Sequence, residues 1–346
     1  MRWANFTPRK AAVLVAGLCA SALAVAILAA LTVQRALPDL ARTGPVHSAP
    51  LPLPRIDVHQ HLGPATVGVA LRVAALHGIG TVVNLSGGAT GAGLEEQLAA
   101  AVPQGDRLIV FMNPGLAGCC DEGWAVREAE RLGRGQALGA RGVALQLSPG
   151  ADLTVPAAKP FFEACAALRL PVSVSAQGAP DALVLLAERY PQVTFVGAHF
   201  AGRADEPAMV QALMQRLPNL WVDLAGRVAE LGQHGLEARE AILAHSDRVL
   251  FGTDTQYVDS QGSSGIVLGA GDPILLDDLV GGQERRTFFD STLRFLESRD
   301  PGLRDPIPGR GEPDLSGLGL PREVLHRVYH QNAERLLRLR SARVQG

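Results

Sequence analysis

Arg55-Ile56-Asp57-Val58-His59-Gln60-His61 is the stretch that decides the fold. It leaves a proline-rich segment, alternates polar and apolar side chains, and ends in His-x-His. Successive side chains along a strand take opposite faces. The alternation therefore predicts Asp57, His59 and His61 on one face of a short strand, with Ile56 and Val58 on the other. Two imidazoles two residues apart on one face can converge on a single metal ion, with a carboxylate beneath them to orient a ring. Such a pair needs further ligands, and those must come from other parts of the chain.

Downstream of Arg55, short apolar runs alternate with longer helical patterns. Strands are expected at Ile56–His59, Thr81–Leu85, Leu108–Met112, Val143–Leu147, Val172–Ala176, Val193–Ala198, Trp221–Leu224 and Val249–Thr253. Helices are expected around 66–77, 92–102, 122–138, 157–169, 180–190, 206–216 and 236–245, with a last one near 321–340. Eight strands separated by helices predict an α/β fold of the (β/α)8 TIM-barrel type over residues 55–340. A doubly wound open sheet would carry a glycine-rich phosphate turn after its first strand, where this chain has His-x-His. The glycines at 87, 88, 91 and 93 lack the lysine and hydroxyl of a phosphate loop and predict a flexible loop instead. An insertion at about 255–320 separates the eighth strand from the final helix. It leaves from the catalytic face of a barrel, so it either caps the mouth or covers the wall.

Barrel enzymes draw their chemistry from the C-terminal ends of several strands. The first strand offers Asp57, His59 and His61. The sixth ends in His199, in register with Gly197 and Phe195, and the eighth ends in Asp254 above a small Gly252. Three strands thus aim three of the nine histidines and a carboxylate at one mouth.

In this arrangement the domain resembles the amidohydrolase superfamily, in particular the branch that includes aminocarboxymuconate-semialdehyde decarboxylase. The matching pieces run in order through the domain: Asp57 to His61, Phe195 to Phe200, Val222 to Arg227, Arg248 to Asp254, and Val328 to Leu337. Leu293 to Glu297 is similar to part of that branch's C-terminal insertion. The resemblance implies that His59, His61 and Asp254 ligate a divalent metal, zinc by preference, and that His199 is a catalytic or ligating histidine. It further implies a metal-activated water that attacks an amide, a lactone or another electrophile, or a metal that assists loss of CO2. Zinc would bring its water to a pKa of about 7, Asp254 could take the proton, and His199 could polarise the substrate.

Two departures narrow that picture. Family members carry another histidine at the end of the fifth strand, whereas Ser175 stands there in Pro171-Val172-Ser173-Val174-Ser175-Ala176-Gln177. Ser173, Ser175 and Gln177 share a face, and Gln146 on the fourth strand can also reach the mouth. Lysine is scarce as well: only Lys10 and Lys159 occur, and Lys159 precedes a helix. A lysine-bridged pair of metals and a Schiff-base mechanism are therefore excluded, which leaves one metal. Arg227 and Arg203, after the seventh and sixth strands, can grip a substrate carboxylate or form ordinary ion pairs. Asp223 either supports a ligand or bonds to a loop. The expected function is hydrolysis of a small carboxylic substrate, with decarboxylation second and a degenerate, non-catalytic barrel third.

The rest of the chain speaks to location. Ala11 to Val33 is a run without a charge, and at about 1.5 Å per residue it can cross a hydrocarbon core of about 30 Å. Arg2, Arg9 and Lys10 precede it, so residues 1–10 are expected in the cytoplasm and the domain on the exported, periplasmic side of the inner membrane. A cleaved signal peptide leading to secretion is the alternative. The segment 34–54, with its five prolines, reads as a stiff spacer, and 341–346 as a tail. A net charge of −2 gives no electrostatic case for nucleic acid, so a small molecule and the membrane are the expected partners. A homo-oligomer is left open. Four cysteines show no metal spacing, and the neighbours Cys119 and Cys120 are poorly disposed to bridge.

Overall fold

The computed structural model describes residues 53–121, 123–147, 152–176, 179–260, 263–268, 274–275, 283–307 and 315–339. The expected membrane anchor at 11–33, the cytoplasmic segment 1–10, nearly all of the linker and the tail at 341–346 lie outside the described residues. Gln177 does too. Among the described residues no helix is long and apolar enough to cross a membrane.

Eight strands follow one another around the sheet. They are β1 (Arg55–His61), β2 (Ile79–Asn84), β3 (Leu108–Met112), β4 (Gly142–Gln146), β5 (Val172–Ser175), β6 (Phe195–Gly197), β7 (Leu220–Asp223) and β8 (Val249–Leu250). Each pairs in parallel with the next, in chain order. The circle closes because Val58 N–H donates to the Phe251 carbonyl at 3.0 Å and Asp254 N–H donates to the His59 carbonyl at 2.9 Å. A closed parallel sheet whose strands are separated by helices is the TIM barrel the alternation predicted.

The barrel interior is apolar. Ile56, Val58, Val83, Leu85, Ile109, Phe111, Ala144, Val196 and Leu250 form one buried cluster drawn from six strands, together with Ala333 and Leu337 of the last helix. This corrects two expectations about facing. Ile56 and Val58 point into the barrel, so strict alternation would have turned both histidines outward. The β1–β2 register instead slips between Asp57 and Gln60. That bulge inserts an extra residue and re-aims the end of the strand, as bulges beside active sites do. Asp57 then lies on the outer side, fully buried, where it accepts Gln60 Nε2 and Thr253 Oγ1, both at 2.6 Å. It is a clasp between β1 and the chain after β8, and it does not sit beneath the imidazoles. In β6 the inward residue is Val196, while Phe195 packs against Phe162 of the helix Lys159–Ala167. His199 reaches the mouth by another route, because His199, Phe200 and Ala201 take left-handed backbone at φ 57°, 57° and 58°.

The insertion serves both ends of the barrel. β9 (Thr255–Ser260) pairs in parallel with the tip of β1, setting His61 opposite Gln256, and folds back antiparallel on β10 (Ser263–Leu268). The helix Gln283–Glu297 instead ends beside the start of β1. There Arg55 Nη2 meets Glu297 Oε1 at 3.1 Å, Tyr329 Oη donates to the same oxygen at 2.9 Å, and the Arg55 guanidinium lies over the Tyr329 ring. The strand belongs to the mouth and the helix to the wall. The closing helical segment, 322–337, is widened by a π turn at Arg327–Gln331, and Phe251 N–H donates to its Val328 carbonyl at 3.0 Å. Cys119 and Cys120, in the loop after β3, are joined to each other. Cys120 takes a left-handed backbone at φ 66° in a turn, a geometry the residue spacing does not reveal.

Candidate active site

Four side chains meet where the bulge, the left-handed turn and the end of β8 converge. His59 Nε2 and His61 Nε2 each stand 3.5 Å from Asp254 Oδ1. His59, His199 and Asp254 offer donor atoms that all lie within 4.8 Å of one another. Two donors on a tetrahedral ion with bonds of about 2.1 Å stand about 3.4 Å apart, the spacing of Asp254 Oδ1 from each of the two His-x-His nitrogens, while His199 is within reach of the same ion. The donor set of imidazoles and one carboxylate also suits such an ion. His59 and His199 are buried, and His61 stands at the open edge with 30% of its side chain exposed.

The imidazoles are held by their other nitrogens. His59 Nδ1–H donates to Asp223 Oδ2 at 2.9 Å, which leaves Nε2 facing the cluster. His199 Nδ1–H donates to the Ala225 carbonyl at 2.9 Å, with the same consequence. His61 Nδ1 pairs with Ser86 Oγ at 2.8 Å. Asp223 does more than orient one ring, since its Oδ1 accepts the backbone N–H of His199 at 2.9 Å and of Ala225 at 3.1 Å. One carboxylate at the end of β7 thus fixes the tautomer of His59 and the turn that delivers His199. Gly252 completes the packing: a Cβ there would lie 2.9 Å from His59 Cβ and 3.1 Å from Ala225 Cβ.

The electrostatics follow from burial and neighbours. Burial opposes the charged form of Asp254, but the His61 hydrogen bond and the surrounding imidazoles prevail and hold its pKa near 2. It is an ionised carboxylate near neutral pH. Burial also opposes protonation of His59, and the Asp223 carboxylate outweighs it, lifting the ring to about 9. Asp223 itself is held below the usual range, because His59 overcomes its desolvation. His199 is pushed down, first by burial and then by His59. Asp57 on the outer side is pushed up to about 6 by burial, against four hydrogen bonds.

The cluster opens into a cavity of about 670 Å³ that also exposes Ser86, Gln146, Ser173, Ser175 and Gln256. Asn113 lies in its floor and ties the ends of β2, β3 and β4, donating to the Leu85 carbonyl at 2.9 Å and the Ala144 carbonyl at 3.1 Å. Of the residues singled out in the sequence, His59, His61, His199, Asp254, Gln146, Ser173 and Ser175 line this cavity. Arg203 and Arg227 do not: Arg203 is paired with Asp181 and Glu206, and Arg227 with Glu230 at 2.9 Å. Ser86 and Gln256 escaped the sequence reading. A polar residue directly after the expected strand Thr81–Leu85 was the available signal for Ser86, whereas Gln256 enters only because β9 pairs with β1.

The sequence model of the amidohydrolase family matches residues 56–339, which spans both ends of the barrel. No curated protein matches the chain. Among solved structures, 2,6-dihydroxybenzoate decarboxylase from Rhizobium aligns at a TM-score of 0.52 and 13% identity, covering 83% of this chain and 99% of its own. A Burkholderia multivorans amidohydrolase aligns at 0.50 and 15%, covering 83% of this chain and 100% of its own. A Pseudomonas putida protein provisionally named a 2-pyrone-4,6-dicarboxylic acid hydrolase aligns at 0.50 and 17%, covering 82% and 97%. At these identities the neighbours attest the barrel alone, but the family match covers most of the chain and includes every strand end that builds the cluster. The chain belongs to the amidohydrolase family of enzymes.

Proposed function

We propose that this domain is a mononuclear metal-dependent hydrolase that cleaves an amide or lactone of a small carboxylic compound. The observation that carries the reading is the 3.5 Å approach of Asp254 Oδ1 to both His59 Nε2 and His61 Nε2, with His199 beside them. These four residues would hold the ion, for which zinc is the first candidate. A bound divalent ion supplies Lewis acidity, lowering the pKa of water and polarising a carbonyl. The chain's own residues do the rest. Asp223 keeps His59 in the tautomer that presents Nε2, and Asp254 remains ionised and can take a proton through its second oxygen. His199 is free at Nε2 to complete the set or to share a hydrogen bond with the substrate oxygen. Gln146 contacts substrate from across the mouth.

Metal content of the purified domain from residue 50 onward tests this reading. Near one equivalent of zinc or another divalent metal, lost in a His59→Ala/His61→Ala double variant, is expected. Absence of metal after loading with zinc, manganese and iron refutes it and favours the non-catalytic barrel, for which Ser175 on the fifth strand is the supporting feature. Release of CO2 in place of a ring-opened or amide-cleaved product would shift the assignment to decarboxylase. We also propose that residues 11–33 anchor the enzyme in the inner membrane with the domain exported. Alkaline phosphatase fused after Ser48 should be active, and an inactive fusion would refute export.

A further inference from the structure

Beyond the metal cluster, the cavity has a second set of groups with no task. Gln146, Ser173 and Ser175 line it from β4 and β5, across the barrel from β1 and β8, and Gln256 lines it beside His61. Among the described residues none of the four side chains has a hydrogen-bond partner. Ser173 is nearly enclosed, at 4% exposure, and what it does expose faces the cavity. Polar groups in such a position are satisfied by water or by ligand, and a ligand that lacks the matching group leaves them unpaired at a cost.

The charge of this wall is as informative as its polarity. Among the described residues that line the cavity there is no lysine or arginine. Arg203 and Arg227, the cations nearest in sequence to the strand ends, are committed to carboxylates outside it. Among the described residues the titratable groups facing the cavity belong to the cluster, where Asp254 is held ionised and burial is outweighed to raise His59. Among the described residues this wall offers hydroxyls and amides and no cation, so a free carboxylate placed against it, away from the cluster, would be desolvated without an ion pair. The serine at position 175 matters here twice. It leaves out an imidazole and so leaves room beside the cluster, and it supplies a hydroxyl in its place.

We propose that Gln146, Ser173, Ser175 and Gln256 form a substrate-orienting subsite for an uncharged acyl compound rich in hydroxyl, amide or carbonyl groups, and that the enzyme discriminates against its carboxylated analogues. The proposal rests on the hydrolytic reading of the same cavity and refines its substrate class. It sets this chain apart from a structural neighbour named for a dicarboxylate. At about 670 Å³ the cavity is ample for one ring bearing several polar substituents.

Two matched pairs of probes test it by calorimetry on the metal-loaded domain. The first is 2-pyrone-4,6-dicarboxylate against its neutral 4,6-dicarboxamide. The second is a hexono-1,4-lactone against the hexaro-1,4-lactone that carries a carboxylate in place of the terminal hydroxymethyl. The neutral member of each pair should bind at least tenfold more tightly. Gln146→Ala and Ser175→Ala should each weaken it severalfold while metal content stays unchanged. Tighter or equal binding of the charged members overturns the proposal, as does failure of both neutral probes to bind, or variants with unaltered affinity. Metal content is read separately on the same samples. A metal-free domain that still prefers the neutral probes would remove the hydrolytic reading and leave the subsite standing.

Discussion

Replacing Asp223 by Asn is the sharpest test of how the cluster is held. The substitution keeps shape and volume but exchanges one acceptor oxygen for an amide donor. If the remaining oxygen stays on the backbone N–H groups of His199 and Ala225, now 2.9 Å and 3.1 Å from Oδ1, the new NH2 faces His59 Nδ1. His59 must then offer a lone pair at Nδ1 and carry its proton on Nε2, where the metal belongs. If the amide flips, the NH2 faces two N–H donors and the turn that delivers His199 loses its anchor. Either orientation damages the site, so the geometry allows no silent outcome. Loss of such a supporting partner costs about 10- to 100-fold in metal affinity, equivalent to about 1.4–2.8 kcal/mol. Folding should suffer by a further ~1.5–3 kcal/mol, the scale of a charge-assisted hydrogen bond. The assay is a chelator competition for zinc on the wild-type and Asp223→Asn domains, with urea unfolding in parallel. A folded variant with wild-type zinc affinity would refute the claim that Asp223 sets the His59 tautomer.

Gly252→Ala should crowd His59 and Ala225, whose Cβ atoms would lie 2.9 Å and 3.1 Å from the new methyl, and cost about 1–3 kcal/mol of stability. Metal affinity should fall with it, and a variant unchanged in both would show that the strand has room to spare. Glu297→Ala leaves the Arg55 guanidinium, 5% exposed, without its carboxylate, and should cost about 3–5 kcal/mol in urea unfolding with zinc affinity intact. A loss below about 1 kcal/mol would mean that the His77 carbonyl, which accepts Arg55 Nη1 at 3.2 Å, and the Tyr329 ring suffice for Arg55. Cys165 is fully buried, and burial pushes its thiol pKa far up, so it should resist iodoacetamide at pH 8 in the native domain and react once urea unfolds it. Native labelling at the rate of a free thiol would contradict the packing of the helix Lys159–Ala167.

The sequence by itself determined the barrel and the identity of the cluster. Strand and helix periods are local properties written in the spacing of apolar residues. The polar residues at strand ends are legible because a parallel barrel brings all those ends to one rim. His59, His61, His199 and Asp254 could therefore be named together before any contact was known. What the sequence could not carry was direction. Period-two counting placed Asp57 beneath the imidazoles and Phe195 and Gly197 inside the barrel, and both were wrong. A one-residue slip in β1 reverses every facing beyond it, and it arises from pairing with β2 and from the hydrogen bonds that Asp57 makes with Gln60 and Thr253. The left-handed run at His199 to Ala201 is strained for residues with a Cβ, and a carboxylate from another strand, Asp223, helps hold it. Arg203 and Arg227 look like substrate clamps until the neighbouring helices supply Asp181, Glu206 and Glu230. Residue type and spacing specify which groups can do chemistry. Only the tertiary structure decides which way they point and which partners have already claimed them, because both depend on residues distant in the chain.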